Sequence, residues 1–351
     1  MIGRHTATGD EALSPVIRAR KRALDRLGPL GRALRKARAR TRSAAIAPPA
    51  SAPAAPEFLE RLDRMGAQVA ETRAKVAALE RRARDTQALV TRTYEKAQDW
   101  PAKVEALRKA ADYEAPYEPE PLVSAVIPTY NRAEILCDRA LASLRRQTYE
   151  NWEAVVVGDC CTDDTEERIR AIADPRIRFE NLPFRGPYPE NPDEQWRMAG
   201  VYASNRAAEL ARGTWIAPLD DDDEWDDDHL EVLLAHAQST HAEVAYAKWR
   251  IGDARNGRVV NRTRGMFPVT DTHFAFQCAV VHSGLRAVPF DPNAHLAGEP
   301  GDLNRARRLW DAGVRFAFLD RPVSTIWFTP RVEGATEWID SLVENDGYVD
   351  E

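Results

Sequence analysis

An α/β fold is what this sequence predicts for residues 121–330: a mainly parallel, Rossmann-like sheet with helices on both faces. Two observations carry that expectation. From residue 122 onward, short apolar runs alternate with segments of helical period. Three polar clusters, Thr129 to Arg132, Asp159 to Asp164 and Asp220 to Asp223, each follow an apolar run. They therefore fall beyond strand carboxyl ends, where open parallel sheets collect their ligands.

The elements follow in order. Residues 13–42 place Val16, Ile17, Leu24, Leu27, Leu30 and Leu34 at roughly helical spacing, with a break at Gly28-Pro29, so short helices are expected in a basic arm, residues 1–47. Residues 48–56, rich in Pro and Ala, form a linker that cannot build a core. Over residues 57–112 a heptad pattern appears. One seam is Leu62, Val69, Val76, Ala83, Val90, and the other is Phe58, Met65, Thr72, Leu79, Thr86. This predicts a coiled coil that pairs two chains through residues 58–90, or else a long helix folded back on the main domain, with Pro101 interrupting it. A bridge rich in Pro, Glu and Tyr, Tyr113 to Pro121, leads into the main domain.

There, Val123 to Ile127 is a strand and Glu134 to Arg146 a helix; Glu153 to Val157 is the second strand. A helix from Asp164 to Ala173 follows, with Asp163 as its cap. Arg176 to Glu180 alternates as a third strand. A helix over Ala199 to Ala211 ends at Gly213, where a left-handed cap is expected. The apolar run Thr214 to Leu219 then leads into four consecutive aspartates. From Glu333 to Glu351 the tail is acidic and expected to be disordered.

Charge and cysteine usage narrow the function classes. The formal net charge is -6, yet residues 1–47 hold 12 Lys/Arg against three acids, so the positive charge is concentrated at one end. Such an arm suits an anionic membrane surface, or the acidic body of its own chain. No nucleic-acid reader motif accompanies it, and nucleic acid is not an expected partner. The four cysteines, Cys137, Cys160, Cys161 and Cys278, lack zinc-site spacing, and two of them are adjacent. A reducing cytoplasmic setting is expected, peripheral at the inner membrane face, without a secretion signal or spanning helix.

Four like charges at a strand end repel one another unless a cation is present, and oxygen-only donors favour Mg2+ or Mn2+. The order Val123-Ser-Ala-Val-Ile-Pro-Thr-Tyr-Asn-Arg132, Gln147-Thr-Tyr149, Val155-Val-Val-Gly-Asp-Cys-Cys-Thr-Asp163 and Ala217-Pro-Leu-Asp-Asp-Asp-Asp-Glu-Trp225 resembles the nucleotide-sugar half of family 2 glycosyltransferases over residues 121–330. That resemblance implies a GT-A fold and an inverting, metal-dependent transfer of a sugar from a nucleoside-diphosphate sugar to an acceptor hydroxyl on a glycan, a lipid-linked acceptor or a small molecule.

It also implies roles. Pro128, Thr129, Tyr130 and Arg132 form the base, ribose and phosphate loop, and Asp159 accepts a hydrogen bond from the base. Asp220 and Asp221 lie near ribose or metal, and Asp222 is the metal ligand, with Asp223 behind it. Asp302, counted back from Ala312-Gly313, falls where the family places its catalytic carboxylate, with Glu299 as the fallback. This chain departs from the commoner pattern at Gly158 and Gly301, where the family carries acids, and at Cys160-Cys161. Those departures favour an alternative: a non-catalytic nucleotide-sugar-binding scaffold with a coiled coil and a membrane-surface arm. A nucleotidyltransferase lacks support, because no glycine-rich basic loop follows the first strand.

Further expectations are local. Trp225 is a packing residue, and one of His273, His282 and His295 completes a metal shell or is structural. Phe274 to His282 lines the acceptor cleft. Phe184 to Pro192, with Trp196 and Arg197, forms a lid or a sugar contact.

Overall fold

The computed structural model describes residues 55–269, 273–328 and 335–349. The basic arm expected over residues 1–47 and nearly all of the linker lie outside the described residues. Two compact units are present, Met1–Val76 and Ala77–Glu351. The described part of the first is helical and belongs to α1 (Ala55–Ala97). No helix among the described residues is long and apolar enough to cross a membrane.

With its one proline, Pro56, in the first turn, α1 runs for 43 residues. Its heptad side chains Phe58, Leu62, Met65, Val69, Val76, Leu79 and Val90 are exposed, whereas Thr91 and Glu95 at its carboxyl end are buried. The last turns pack on the main domain, where Glu95 meets Asn304 and Arg307. Asp99 then takes a left-handed conformation (φ 46°), and Pro101 sits in the first turn of α2 (Trp100–Leu107), where its missing N–H costs nothing. Pro101 therefore ends one helix by starting the next.

The sheet carries nine strands among the described residues: β1 (Val123–Thr129), β2 (Trp152–Gly158), β3 (Ile177–Asn181), β4 (Trp215–Pro218), β5 (Glu224–Trp225), β6 (Val244–Asp253), β7 (Arg258–Arg264), β8 (Ala279–His282) and β9 (Phe316–Phe328). Their order is β3-β2-β1-β4-β8-β6-β9-β5, with β7 paired to β6. The first four in that order are parallel, as expected. Beyond β4 the sheet is mixed: β8 runs antiparallel to both β4 and β6, while β9 is parallel to β6. Antiparallel neighbours need no helical crossover, so the strand–helix alternation that predicts a parallel sheet is confined to its first half.

Helices cover both faces. On one, α3, built from Ala133–Ile135, a π-helical stretch Leu136–Leu141 and Ala142–Arg145, packs with α7 (His229–Thr240) over Val123, Ala125, Ile127 and Trp215. On the other, α6 (Val201–Leu210) covers Val126, Val155, Val157 and Ile216. Alternation along β1 thus feeds two cores. Gly213 is not left-handed. A Cβ there would lie 2.6 Å from the Ser124 amide and 2.7 Å from the Leu122 carbonyl, so close approach to β1 requires the glycine.

The bridge before β1 docks through a buried carboxylate. Glu243 accepts from Arg108 through both oxygens (2.8 Å each), from Tyr113 Oη and from the Arg315 amide at 2.8 Å, and these donors outweigh burial and hold it down to about 2. A depressed carboxylate contributes stability above the ordinary Glu range that is lost as pH falls through the folded value. We expect unfolding free energy to fall between about pH 4.5 and 2 by on the order of 3 kcal/mol from this group. Glu243→Gln should remove that slope and melt lower at pH 7, as read by calorimetry.

The tail differs from its expected disorder. Its α9 (Ala335–Asp346) buries Ile339 and Leu342, with Leu342 packing on Ile251 and Val260, and Tyr348 Oη donates to Asp253 at 2.7 Å. Apolar residues at helical spacing outweigh the acidic composition.

Candidate active site

Because β2, β1 and β4 are adjacent and parallel, their carboxyl ends bring the three polar clusters together at the sheet's topological switch point. Two lobes result. In the first, the Asp159 amide donates to the Thr129 carbonyl at 2.8 Å, and the buried carboxylate accepts through Oδ2 from Tyr188 Oη at 2.6 Å and Arg185 Nε at 3.3 Å. Its other oxygen, Oδ1, is buried with no hydrogen-bond partner. An orphaned carboxylate oxygen is a costly feature unless a ligand donor completes it. The Arg185 guanidinium lies 3.7 Å from the centre of the Tyr130 ring and 4.7 Å from that of Tyr188. Arg185 and Tyr188 were not singled out in the sequence; they come from the loop expected to act as a lid or a sugar contact, which here reaches the Asp159 side. Trp196 is exposed. Pro128 lies beside Gly200: a Cβ on that left-handed glycine would sit 3.3 Å from its ring.

The turn after β2 shows why Gly158 stands where the family carries an acid. A Cβ on Gly158 would lie 2.6 Å from Asn181 Oδ1 and 3.0 Å from Cys161 Sγ. Asn181 fills that space, accepting from the Cys161 amide (2.8 Å) and donating to its carbonyl (2.9 Å), and so braces Cys160 in a left-handed conformation. Asp163 caps two helices, α4 (Thr165–Ile172) through the Thr165 amide (3.3 Å) and α3 through the Ala133 amide (3.2 Å).

The second lobe is acidic. Thr129 Oγ1 donates to Asp221 Oδ2 at 2.8 Å, and Arg132 spans Asp221 and Asp222, the latter at 2.7 Å. From the π-helical stretch, Arg139 donates to the Asp222 carbonyl at 2.8 Å. Burial and then Asp222 push Asp220 up to about 7, against a hydrogen bond from Gln277; burial pushes Asp221 up to about 6 despite Arg132. Asp223, bound to the Trp327 amide at 2.9 Å, is also raised by burial and by Asp222. Gln277, within the segment Phe274 to His282 expected to line the acceptor cleft, is held by Trp225, whose indole donates to its carbonyl at 2.7 Å and whose ring stacks on His229. Trp225 is thus the packing residue expected.

Raised carboxylates favour the native state only while protonated: their contribution is full below the ordinary Asp range and is lost as pH rises through 6 to 7. Without divalent cation, Asp220→Asn should therefore raise the melting temperature at pH 8 and leave it nearly unchanged at about pH 3.5, below the ordinary Asp range, the reverse of what most substitutions do. Thermal scans at both pH values check this.

Hard carboxylate oxygens, and more negative charge than Arg132 offsets, fit a divalent cation, with Asp222 and Asp220 as the groups that could hold it. Among the described residues, no three His, Cys, Asp or Glu side chains are preassembled around one ion position. Arg132 is the cation that meets Asp221 and Asp222 in this conformation. His282 is structural: its Nε2 donates to the Tyr113 carbonyl (2.9 Å) and its Nδ1 accepts from the Gly284 amide (3.0 Å), and His295 Nδ1 donates to the Pro292 carbonyl (2.9 Å).

Asp302 lies in the first turn of α8 (Gly301–Asp311) and accepts from the Leu303 amide at 2.7 Å. A Cβ on its neighbour Gly301 would lie 3.0 Å from Val201, next to the Gly200 that faces Pro128, so α8 begins beside the end of β1; burial raises Asp302, and its charge adds to the upward shift of Asp220. Glu299 is not free beside it. Arg307 binds it at 2.8 Å, Arg92 at 3.3 Å and Asn304 at 2.9 Å; against burial, Arg307 foremost holds it below the usual range. Glu299 therefore belongs to an ion-pair network rather than to the base position. Gly301 replaces the family acid because a Cβ there would lie 3.0 Å from Val201.

The family model described as Glycosyl transferase family 2 matches residues 124–189 and 193–295. WcaA of Escherichia coli strain K12, a glycosyl transferase named for colanic acid biosynthesis, is 40% identical over 126 residues, which covers 35% of this chain and 40% of that protein. This chain thus spans well under two thirds of that relative's length. The uncharacterized glycosyltransferase R139 of Acanthamoeba polyphaga mimivirus is 33% identical over 234 residues, 59% of this chain and 90% of that protein. Among solved structures, a mannosyltransferase from Pyrobaculum calidifontis in complex with GDP-Man and Mn2+ aligns over 73% of this chain and 71% of that chain, at 18% identity and a TM-score of 0.47. With nearly the whole of R139 matched at one residue in three and the family's three motifs at adjacent strand ends, this chain belongs to glycosyltransferase family 2.

Proposed function

We propose that this protein is an inverting glycosyltransferase that moves a sugar from a nucleoside-diphosphate sugar to a hydroxyl of a cell-surface glycan, a lipid-linked glycan or a small-molecule acceptor. The observation that carries it is Asp302, a half-buried carboxylate at the start of α8 with no ion pair among the described residues, whose charge is felt by Asp220 on the acidic lobe. Asp159 Oδ1 accepts from the base, and Tyr130 covers its face. Asp302 takes the proton of the acceptor hydroxyl, and that oxygen attacks the anomeric carbon from the side opposite the diphosphate. The new C–O bond forms as the bond from carbon to diphosphate oxygen breaks, and the electron pair leaves with the nucleoside diphosphate. Arg132, already poised over Asp221 and Asp222, can turn to the diphosphate. A divalent cation held by Asp222 and Asp220 would offset the charge of the departing diphosphate.

Asn181 and Val201 give Gly158 and Gly301 a packing reason, and this weakens the support those two departures lend to the scaffold alternative. The name of WcaA supports an acceptor from surface glycan assembly. Around this domain, taken as residues 121–330, we place a pairing helix over 58–90 and a membrane-facing arm over 1–47. A thermal-shift panel of UDP-, GDP- and dTDP-sugars, with and without Mn2+, tests the reading. Selective stabilisation by one nucleotide series, enhanced by Mn2+, is expected; stabilisation by none of them counts against it.

A further inference from the structure

Among the described residues the Asp302 side chain accepts from the amide of the residue after it, so its position is set by the backbone of residues 299–304. That backbone is clamped from outside the region that the family model matches. Glu95, near the end of α1 and only 4% exposed, accepts from Asn304 Nδ2 at 2.6 Å and from Arg307 at 2.7 Å. One turn earlier, Arg92 reaches Glu299 at 3.3 Å. Asn304 is wholly buried; its amide nitrogen is shared between Glu95 and Glu299, and its oxygen accepts from Arg308 at 2.8 Å. The network thus grips the chain three residues before Asp302 and two residues after it. A buried carboxylate is costly unless every acceptor is used, and here the cost is met by two α8 donors and by nothing on α1 itself.

We propose that Glu95 is a positioning residue: through Asn304 and Arg307 it holds the first turn of α8, and with it Asp302, in register with the acidic lobe. The inference rests on Asp302 being the base. It makes the last turns of the long helix part of the catalytic unit, although that helix lies before the family-matched region.

The test uses the full chain and two readouts. Hydrogen–deuterium exchange should show the amides of residues 299–305 exchanging about tenfold faster in Glu95→Ala, with β1 unchanged. With the donor and acceptor that the wild-type chain uses, turnover should fall about 10- to 100-fold while donor KM stays within about twofold, because the reacting group is misplaced rather than the nucleotide site. Should Glu95→Ala fail to fold, Glu95→Gln, which loses one acceptor oxygen and the charge, must move both readouts in the same direction. Unchanged exchange at residues 299–305 overturns the clamp whatever Asp302 does. Faster exchange with turnover retained overturns the positioning role. If Asp302→Asn keeps full turnover while Glu95→Ala speeds exchange, the clamp is real but Asp302 is not the base, and the positioning role falls with that reading.

Discussion

Asp302→Asn is expected to lower turnover about 10²- to 10⁴-fold, the range that a positioned general base supplies. The amide keeps the size of the side chain and can still accept from Leu303, so the first turn of α8 should survive. Nucleotide-induced thermal stabilisation should therefore stay at the wild-type value while product formation collapses. The pH profile should lose its acidic limb as well. Burial raises Asp302 above the ordinary Asp range, so activity that needs the ionised carboxylate falls as pH drops through that raised value. A folded Asp302→Asn variant with full turnover would remove Asp302 from the base position.

The second large effect concerns the nucleotide. Asp159→Ala removes the orphaned oxygen and at the same time strips Tyr188 and Arg185 of their shared acceptor. Losing a hydrogen bond to a charged group costs about 1.5–3 kcal/mol, so nucleotide affinity should weaken about 10- to 100-fold. Titration of the stabilising nucleoside diphosphate by calorimetry reads this directly. Asp159→Asn, which still offers an oxygen to Tyr188, should lie between the two, and undiminished affinity in Asp159→Ala would move the base site elsewhere.

Much of this centre is legible in the sequence because local rules suffice for it. Apolar runs ended by polar clusters mark strand ends, and Thr129, Arg132, Asp159 and Asp220 to Asp223 all sit at the ends of adjacent strands. Asp302 is found by counting along one motif. What local rules miss are partners that arrive from far along the chain: Arg185 and Tyr188 on Asp159, Gln277 on Asp220, and Glu95 on Asn304. Arg185, Tyr188 and Glu95 are polar residues in a loop or on a largely exposed helix, where a solvated side chain is the ordinary expectation, and Gln277 is the polar residue between buried Phe276 and Cys278. Glu299 shows the converse. Its closeness in sequence to Asp302 suggests a shared task, yet Arg307 and Arg92 claim its carboxylate.

By itself, the sequence pointed to the kind of fold, because hydrophobic period is a local quantity that the backbone repeats enforce, and its resemblance to family 2 glycosyltransferases named the candidate residues. Tertiary structure alone decided which of those residues are free to act. It committed Glu299 to a salt bridge and, among the described residues, left Asp302 without an ion pair and Asp159 Oδ1 without a hydrogen-bond partner. It filled the space at Gly158 and Gly301 with neighbours. Whether a buried carboxylate is paired or available depends on groups tens or hundreds of residues away, and no local period records that distance.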